Sequence, residues 1–412
     1  MHGGLTHGAP GPTHCSSPWR RAPIPIDTII DAMSQDSTRR DLVKAAGAAA
    51  AGWTILKPES AFGYPANSKV KVGLLGTGRR GSRVSQYFVK NSDAEMAALA
   101  DLYDDQLDAA KKTIPAQNAQ TYKSAEAILD ADIDAVYIAT PPYMHPEHFE
   151  MAVASGKHIL MEKPVGVDPA GVKRVLAATE NLKPGQTVVI DFQQRYGAEY
   201  REAFERVISG ELGEIGMIRS AWIGSDLPRR SGHPESEEKI RNWLFYSDRS
   251  GDIIVEQNCH NIDVVRWFTR VHPISAMGYA TRVFRTDIGN IVDSFAVTYK
   301  LPDGRVYTHA GNQIMPRGGY RDVGEYFMGE KGTIATSRQG YKLWLDGMDP
   351  VEKKTPGDIT QNVVDEFIRS VRGEIPTRND VAEACESTLT AILGRTAYEQ
   401  EREITWDDLL AM

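Results

Sequence analysis

Three glycines with the spacing of a phosphate-binding turn stand close to residue 80. Gly76, Gly78 and Gly81 follow directly on the apolar run Val70–Leu75, within the sequence Gly-Thr-Gly-Arg-Arg-Gly. In such a turn the first glycine permits a tight bend, the second lets the backbone approach a pyrophosphate, and the third allows the next helix to pack closely on the strand. Asp101 follows about 20 residues later, where a carboxylate accepts a hydrogen bond from a ribose hydroxyl. The predicted cofactor contacts in this stretch are Gly76, Thr77, Gly78, Arg79, Arg80, Gly81 and Asp101.

Asp101 also bears on which dinucleotide binds. A carboxylate at this place accepts a hydrogen bond from the ribose 2′-hydroxyl of NAD and repels the 2′-phosphate of NADP. Arg79 and Arg80 act in the opposite direction, because a nearby guanidinium can bind that phosphate. We expect NAD as the cofactor, with NADP as the less favoured choice.

The segments around this turn predict a parallel sheet. From Val70 to about residue 192, apolar strand patterns alternate with helical patterns, which is typical of an α/β domain with a doubly wound parallel (Rossmann) sheet. Ligands of such sheets bind beyond the carboxyl ends of the strands. Two polar segments, residues 140–145 and 162–164, follow predicted strands and are therefore expected at the ligand. Their predicted cofactor contacts are Thr140, Pro141, His145, Glu162 and Lys163, and for His145 a purely structural role is equally expected.

Beyond residue 192 the pattern changes to one of hairpins. Helices are predicted at residues 199–209 and 257–269, with a polar loop at 226–249. Strands are predicted at 215–224, 274–282, 291–301, 305–313, 322–328, 333–337 and 342–345, and two further helices at 361–372 and 380–400. The sequence Pro-Asp-Gly-Arg at 302–305 is a strong hairpin turn. This succession predicts an α+β domain with an open, mostly antiparallel sheet and helices on one face.

Composition excludes several classes of protein. The 412 residues are 41% hydrophobic and 25% charged, near the average for globular proteins, and the net charge of -8 offers no basic face to nucleic acid. Three cysteines, Cys15, Cys259 and Cys385, are too few and too scattered for a disulfide framework or a metal site. No apolar run reaches the roughly 20 residues that span a bilayer. We therefore expect no nucleic acid partner, no metal and no transmembrane segment.

The N-terminal stretch has the layout of an export signal. Residues 1–33 lack hydrophobic periodicity, and Met33 is an alternative start. The sequence Ser-Thr-Arg-Arg-Asp-Leu at 37–42 precedes an apolar segment at 43–56, which is a twin-arginine arrangement for export of a folded protein to the periplasm. An amphipathic helix in a cytoplasmic protein is the alternative, and the cleavage site stays undefined. The predicted divisions are 1–33, an extension outside the fold; 34–66, signal and linker; 67–192, the dinucleotide domain; and 193–412, a substrate and oligomerisation domain.

Four motifs together resemble those of the Gfo/Idh/MocA oxidoreductases. They are Gly-Thr-Gly-Arg-Arg-Gly at 76–81, Thr-Pro-Pro at 140–142 with His145, Glu-Lys-Pro at 162–164, and Gly-Asp at 251–252 followed by His-Asn-Ile-Asp at 260–263. The resemblance implies a dinucleotide domain followed by a domain whose open sheet covers the active site and often forms the oligomer contact. It further implies hydride transfer between a nicotinamide and a sugar, inositol or related polyol. The leader is reminiscent of the exported glucose–fructose oxidoreductase branch.

The resemblance also implies roles for individual residues. Oxidation of a carbinol needs a base for the hydroxyl proton and a cation for the developing oxyanion. His260 is implied as the base, because the pKa of histidine lies near neutrality, and Lys163 as the cation. Glu256 is expected to share a helix face with His260 if that helix extends so far, although the family commonly has an aspartate there. The predicted catalytic residues are Lys163, His260 and Glu256, and the predicted substrate-binding residues are Arg195, Trp243, Glu256 and Asn261.

Other functions stay open at this point. Some proteins that resemble this family are glycosidases, which use bound NAD for transient oxidation and re-reduction of a sugar. A dinucleotide-binding scaffold would need no catalysis, and apart from the resemblance His260 is better explained as a packed helix histidine. Cys259 adjoins His260, but no paired base with an orienting group is evident to make it a nucleophile.

Overall fold

The computed structural model describes residues 68–316 and 318–412, so the predicted extension and export signal lie outside the described residues. Within them, the first sheet has six parallel strands in the order β3-β2-β1-β4-β5-β6. Its strands are β1 Val70–Leu75, β2 Ala94–Ala100, β3 Gln120–Tyr122, β4 Ala135–Ile138, β5 His158–Met161 and β6 Val188–Ile190. The helices that connect them are α1 Arg79–Lys90, α2 Asp104–Thr113, α3 Ala125–Leu129, α4 His145–Ser155 and α5 Pro169–Ala178. The predicted Rossmann sheet is confirmed.

Strand β1 shows how the sequence produces this sheet. Val70, Val72 and Leu74 pack with Phe88 of α1 on one side, while Leu75 joins the core on the other. A parallel sheet is covered on both faces, which is why these strands are continuously apolar. The strand order reverses between β1 and β4, and a dinucleotide binds at such a reversal. Strand β3 escaped prediction because its three residues are polar and largely exposed at the sheet edge.

The second sheet has nine strands within the described residues, in the order β14-β13-β12-β11-β7-β10-β9-β8-β15. Its strands are β7 Ile215–Ser225, β8 Ser275–Thr281, β9 Ser294–Lys300, β10 Val306–Met315, β11 Asp322–Gly329, β12 Gly332–Ser337, β13 Gly340–Leu345, β14 Val351–Lys354 and β15 Ile404–Thr405. The helices of this part are α6 Ala198–Ile208, α7 Glu238–Arg241, α8 Ser247–Ser250, α9 Asp252–Glu256, α10 Cys259–Thr269, α11 Ile359–Val371, α12 Val381–Gln400 and α13 Trp406–Leu410. Neighbouring strands are antiparallel except β7 and β10, which confirms the predicted open, mostly antiparallel sheet.

The helix predicted to start at residue 257 is different in the structure. Helix α9 ends at Glu256, and α10 begins only at Cys259. Between them the side-chain nitrogen of Asn258 donates to the carbonyl oxygen of Ile253 at 2.9 Å, and its oxygen lies 3.0 Å from Nε2 of His309. These buried contacts hold Asn258 at the break. Glu256 and His260 therefore do not occupy successive turns of one helix, and the expectation of a shared helix face is wrong.

Helix α11 follows the second sheet in sequence but packs on the first. Val363 and Phe367 join the apolar cluster of Val72 and Phe88, and the rings of Phe88 and Phe367 lie 6.3 Å apart. The division at residue 192 therefore separates the two sheets, but the core of the first is completed from the C-terminal part. None of the helices in the described part of the chain combines the length and apolar character needed to cross a membrane.

Candidate active site

The glycine turn after β1 has the geometry of a phosphate site. Gly76 has φ +96, and a Cβ atom there would lie 2.7 Å from the carbonyl group of Ala139. A Cβ atom on Gly81 would collide with the carbonyl oxygen of Gly76, so α1 packs against the turn itself. A Cβ atom on Gly78, in contrast, would meet nothing within 4 Å. The open space at Gly78, beside the free N–H groups that begin α1, fits the pyrophosphate of a dinucleotide.

Asp101 fastens this turn to the end of β2. Its Oδ2 accepts hydrogen bonds from the backbone N–H of Thr77 at 2.9 Å and from the hydroxyl of Thr77 at 3.0 Å. Its Oδ1 accepts one from the N–H of Tyr103 at 3.1 Å. Because a carboxylate has about four lone-pair sites, Asp101 retains capacity for a ribose hydroxyl. The same carboxylate thus shapes the turn and lines the adjoining cleft.

A cleft opens beside this turn. Its walls come from the ends of β1, β2 and β4 and from the polar segment of the second domain, with lining residues that include Gly76, Gly78, Asp101, Thr140, Pro141, Arg230 and Trp243. Trp243 therefore lies with Asp101 in the dinucleotide cleft, although it was predicted as a substrate residue. Arg241 closes the same wall, with its Cζ 3.6 Å from the ring centre of Tyr103 and Nη1 2.7 Å from Asp105. The second domain thus contributes part of the cofactor site.

Arg80 and Glu162 belong to a buried ionic cluster beneath the cleft. The Oε1 of Glu162 accepts from Nε of Arg80 at 2.6 Å and from the hydroxyl of Tyr137 at 2.8 Å. The Nη2 of Arg80 lies 2.5 Å from Asp191, and burial together with the Glu162 carboxylate raises the pKa of Asp191 to about 7. Both carboxylates therefore pair with Arg80 within the protein. Arg79, at the start of α1, is exposed.

His145 connects the two predicted strand-end segments. Its Nδ1 lies 2.6 Å from the carbonyl oxygen of Pro164, and its Nε2 lies 2.8 Å from that of Thr140. Burial lowers the pKa of His145 to about 4, although both carbonyl contacts oppose the shift. A neutral imidazole carries a single N–H, so His145 donates to one of these two carbonyls, next to Thr140 and Pro141 in the cleft wall.

Lys163 reaches from the end of β5 to Glu256. Its Nζ lies 3.3 Å from Oε1 of Glu256 and also donates to the backbone carbonyl of that residue. The side chain of Lys163 is only 10% exposed. Burial lowers the pKa of Lys163, but the charges of Glu256 and Glu162 outweigh that effect and the net shift is upward. Lys163 is therefore a buried ammonium, charged at neutral pH, at the strand end.

His260 lies beside this ammonium, in the first turn of α10. Its ring stacks on Trp222 at 6.0 Å and 19° and meets Phe192 edge-on at 6.0 Å. Its Nδ1 is buried without a hydrogen-bond partner in the described chain. Burial lowers the pKa of His260 well below its usual range, and the charges of Lys163 and Arg338 lower it further. The imidazole is thus neutral and able to accept a proton.

Two predicted substrate residues are occupied by protein partners. Arg195 forms a two-pronged ion pair with Asp263, through Nε at 2.9 Å and Nη2 at 2.7 Å. Asn261 donates to Oε1 of Glu325 at 2.6 Å. The structure therefore brings together Lys163, Glu256 and His260, whereas Nε and Nη2 of Arg195 and the amide nitrogen of Asn261 bind protein partners; Oδ1 of Asn261 is buried without a partner in the described chain. The role of Arg195 and Asn261 as substrate ligands stays a prediction.

Sequence reasoning missed Arg338, which lies between β12 and β13. Its Cζ is 5.2 Å from the ring centre of Trp222, the same ring that stacks on His260. The only signal in the sequence was its place in strand alternation, two positions after Thr336.

Across residues 68–316 and 318–412, no three His, Cys, Asp or Glu side chains converge as metal ligands would. Burial raises the pKa of Cys259 to about 12, so its thiol is a packing group.

Two family models match this chain. The model described as an oxidoreductase family with an NAD-binding Rossmann fold matches residues 70–189, and that of the GFO/IDH/MocA C-terminal domain matches residues 200–335. Together the two matches span more than half of the sequence. The chain belongs to the Gfo/Idh/MocA family of oxidoreductases. Its first domain is therefore an NAD-binding Rossmann domain, and the expectation of NAD as cofactor is confirmed.

Individual relatives agree with this assignment. The chain is 27% identical to an inositol 2-dehydrogenase of Rhizobium meliloti (strain 1021) over 276 residues, which are 66% of this chain and 76% of that protein. It is 24% identical to D-glucoside 3-dehydrogenase of Escherichia coli (strain K12), over 60% of this chain and 68% of that protein. Among solved structures, scyllo-inositol dehydrogenase from Lactobacillus casei with bound NAD(H) and scyllo-inositol has a TM-score of 0.63 at 21% identity, covering 82% of this chain and 100% of that one. The predicted activity, oxidoreduction of a CH–OH group, is confirmed at the level of the reaction type.

Proposed function

We propose that this protein oxidises a CH–OH group of a sugar or polyol and passes the hydride to NAD. The observation that carries the proposal is the meeting of a charged Lys163 and a neutral, buried His260 at the carboxyl end of β5. One is a cation placed at a strand end, and the other is a base that is unprotonated at neutral pH. The relatives named inositol 2-dehydrogenase and D-glucoside 3-dehydrogenase support sugars and polyols as the substrate class.

The two residues divide the work on the substrate hydroxyl. Lys163, oriented by Glu256, donates a hydrogen bond to the hydroxyl oxygen and stabilises the negative charge that develops there. His260 accepts the hydroxyl proton, because its imidazole is neutral. NAD, when bound, accepts the hydride from the same carbon. The alcohol thereby becomes a carbonyl group, and Trp222 and Phe192 fix the ring of His260 while this happens.

NADH formation with a panel of inositols, hexoses and glycosides tests the proposal. We expect turnover with at least one of them, and its loss in His260→Ala and Lys163→Met variants. Lys112→Met, an exposed lysine of α2, is the matched control. Full activity of both site variants would show that the site is wrongly placed. Release of an aglycone without net NADH would identify the glycosidase alternative instead.

We further propose that the protein assembles through its second sheet. The strand residues Met217, Met277, Tyr279 and Val306 are exposed, and the pairing register of β7, β10, β9 and β8 places them on one face of the sheet. An exposed apolar sheet face of this kind is typical of an interface. Molar mass in solution, measured by light scattering, tests the assembly.

We also propose export by the twin-arginine route, which rests on the paired Arg39 and Arg40 and the apolar segment at 43–56 that follows them in the sequence. In cells, a variant with both arginines replaced by lysine should accumulate with the cytoplasmic fraction, whereas the unchanged protein is found in the periplasm. Equal distribution of the two proteins would refute the export signal.

A further inference from the structure

Arg338 begins the two-residue turn that joins β12 to β13. Ser337 and Gly340 pair across this turn, and Gly340 has φ +131 with no room for a Cβ atom against β14. Side chains alternate between the faces of a strand, so Arg338 follows the buried Thr336 toward the inner face of the sheet. That face also carries Trp222. A rigid turn therefore aims Arg338 at the active site.

The guanidinium of Arg338 shares an aromatic neighbour with the proposed base. Its Cζ lies 5.2 Å from the ring centre of Trp222, and the ring of His260 stacks on Trp222 at 6.0 Å. The charge of Arg338 is close enough to contribute to the lowered pKa of His260. A substrate whose hydroxyl reaches His260 thus lies within reach of Arg338.

Arg338 forms no hydrogen bond or ion pair inside the described chain, and its Nε is buried. The other arginines of this region are paired, Arg80 with Glu162 and Asp191 and Arg195 with Asp263. The acid on the neighbouring strand, Glu325, is already hydrogen-bonded by Asn261 and by Thr336, both at 2.6 Å. Arg338 is the cation of the site that lacks a protein counter-ion.

Arg338 is partly buried, and a cation in such a place without an ion pair is unfavourable unless a ligand completes it. The planar guanidinium fork matches the oxygens of a carboxylate or a phosphoryl group, with two parallel hydrogen bonds. We propose that Arg338 binds an oxyanion on the substrate, so that the preferred substrate is an acidic sugar or polyol instead of a neutral one. This inference rests on the proposed function, because it places the oxyanion on the molecule that His260 deprotonates.

Matched acidic and neutral compounds test this inference. The probes form matched sets. Glucose, galactose and mannose are each compared with their uronate and their 6-phosphate, and myo-inositol is compared with its 1-phosphate. Calorimetry on the NAD-saturated protein gives affinities, and NADH formation gives kcat/KM. In at least one set the acid should bind about 10- to 100-fold more tightly than its neutral counterpart, as expected for charge-assisted hydrogen bonds. Preference for a uronate identifies a carboxylate, and preference for a phosphate identifies a phosphoryl group.

Two arginine variants separate the site from general charge effects. Arg338→Gln should abolish the preference for the acid, whereas Arg321→Gln, at an exposed arginine of the same domain, should retain it. Melting temperatures with NAD bound verify that both variants are folded. If no acid is preferred in any set, or if Arg338→Gln keeps the preference, the inference is overturned while oxidation of neutral polyols leaves the proposed function standing. If acids bind through Arg338 but only neutral compounds yield NADH, the inference about the substrate is overturned, and if no compound of the panel yields NADH, the proposed function fails.

Discussion

Replacement of Lys163 by methionine removes the charge at the proposed reaction centre and keeps the length of the side chain. Loss of one preorganised donor to a developing oxyanion typically lowers kcat by about 100- to 1,000-fold. We expect a decrease of this size in NADH formation at saturating substrate. Lys112→Met, which makes the same change on the exposed side of α2, should leave the rate unchanged.

The same replacement also leaves a carboxylate without its partner. The side chains of Lys163 and Glu256 are only 10% and 18% exposed, and their charged atoms lie 3.3 Å apart. Removal of one member of a buried pair costs about 3–5 kcal/mol of unfolding free energy, with the lower end expected here because Glu256 keeps some contact with water. The double variant Lys163→Met/Glu256→Gln carries no unpaired charge. It should regain stability in urea unfolding but not the rate.

A third consequence concerns the base. The charge of Lys163 contributes to the lowered pKa of His260, so its removal should raise that pKa. As the pH is lowered, the residual activity of Lys163→Met should therefore be lost at a higher pH than the activity of the unchanged enzyme. Taken together, the rate, the stability and the pH profile separate a catalytic lysine from a structural one. Recovery of the rate in the double variant, or a single variant as active as the wild type, would refute the reasoning.

Three further predictions concern other parts of the molecule. Burial keeps the folded-state pKa of His260 below 6.5, so the base stays neutral as the pH falls through that value, and kcat/KM should show no loss centred at pH 6.5. The measurement uses the Asp191→Asn variant, because that replacement removes the group with a pKa of about 7. A loss of kcat/KM centred at pH 6.5 in this variant would contradict the prediction. Asp101→Ser should raise the KM for NAD about 10- to 100-fold and narrow its advantage over NADP, since hydrogen bonds to a charged group are lost; unchanged KM values for both dinucleotides would contradict this. Tyr279→Glu should lower the molar mass in light scattering, and an unchanged mass would exclude that face as the interface.

The sequence allowed the strands and glycine turn of the first domain to be predicted because their determinants are local. Val70–Leu75 is apolar throughout, and Gly76 and Gly81 are needed by backbone contacts within the same turn. The Glu-Lys-Pro sequence at 162–164 directly follows strand β5, so Lys163 could be predicted at the sheet edge where ligands bind. Local patterns of this kind do not depend on the rest of the chain.

The remaining features depend on partners distant in sequence. The helix break before Cys259 comes with contacts of Asn258 to Ile253 and to His309 of another strand, which no periodicity reveals. Arg195 could not be known to meet Asp263, and Trp243 could not be assigned to the dinucleotide cleft before the second domain was placed over it. Residue type predicts that such side chains make polar or stacking contacts, but the fold determines which partners they contact.

Helix α11 completes the core of the first domain, although it is synthesised after strands β7 to β14 of the second sheet. Phe88 is synthesised with α1, long before Phe367, which packs on it, leaves the ribosome. Until then an apolar face stays open to water and to chaperones, as is common in larger proteins that fold through intermediates. A chain cut short before residue 359 would keep that face exposed and be recognised as damaged. The contact between the two rings therefore forms only after strands β7 to β14 of the second sheet and α11 have been synthesised.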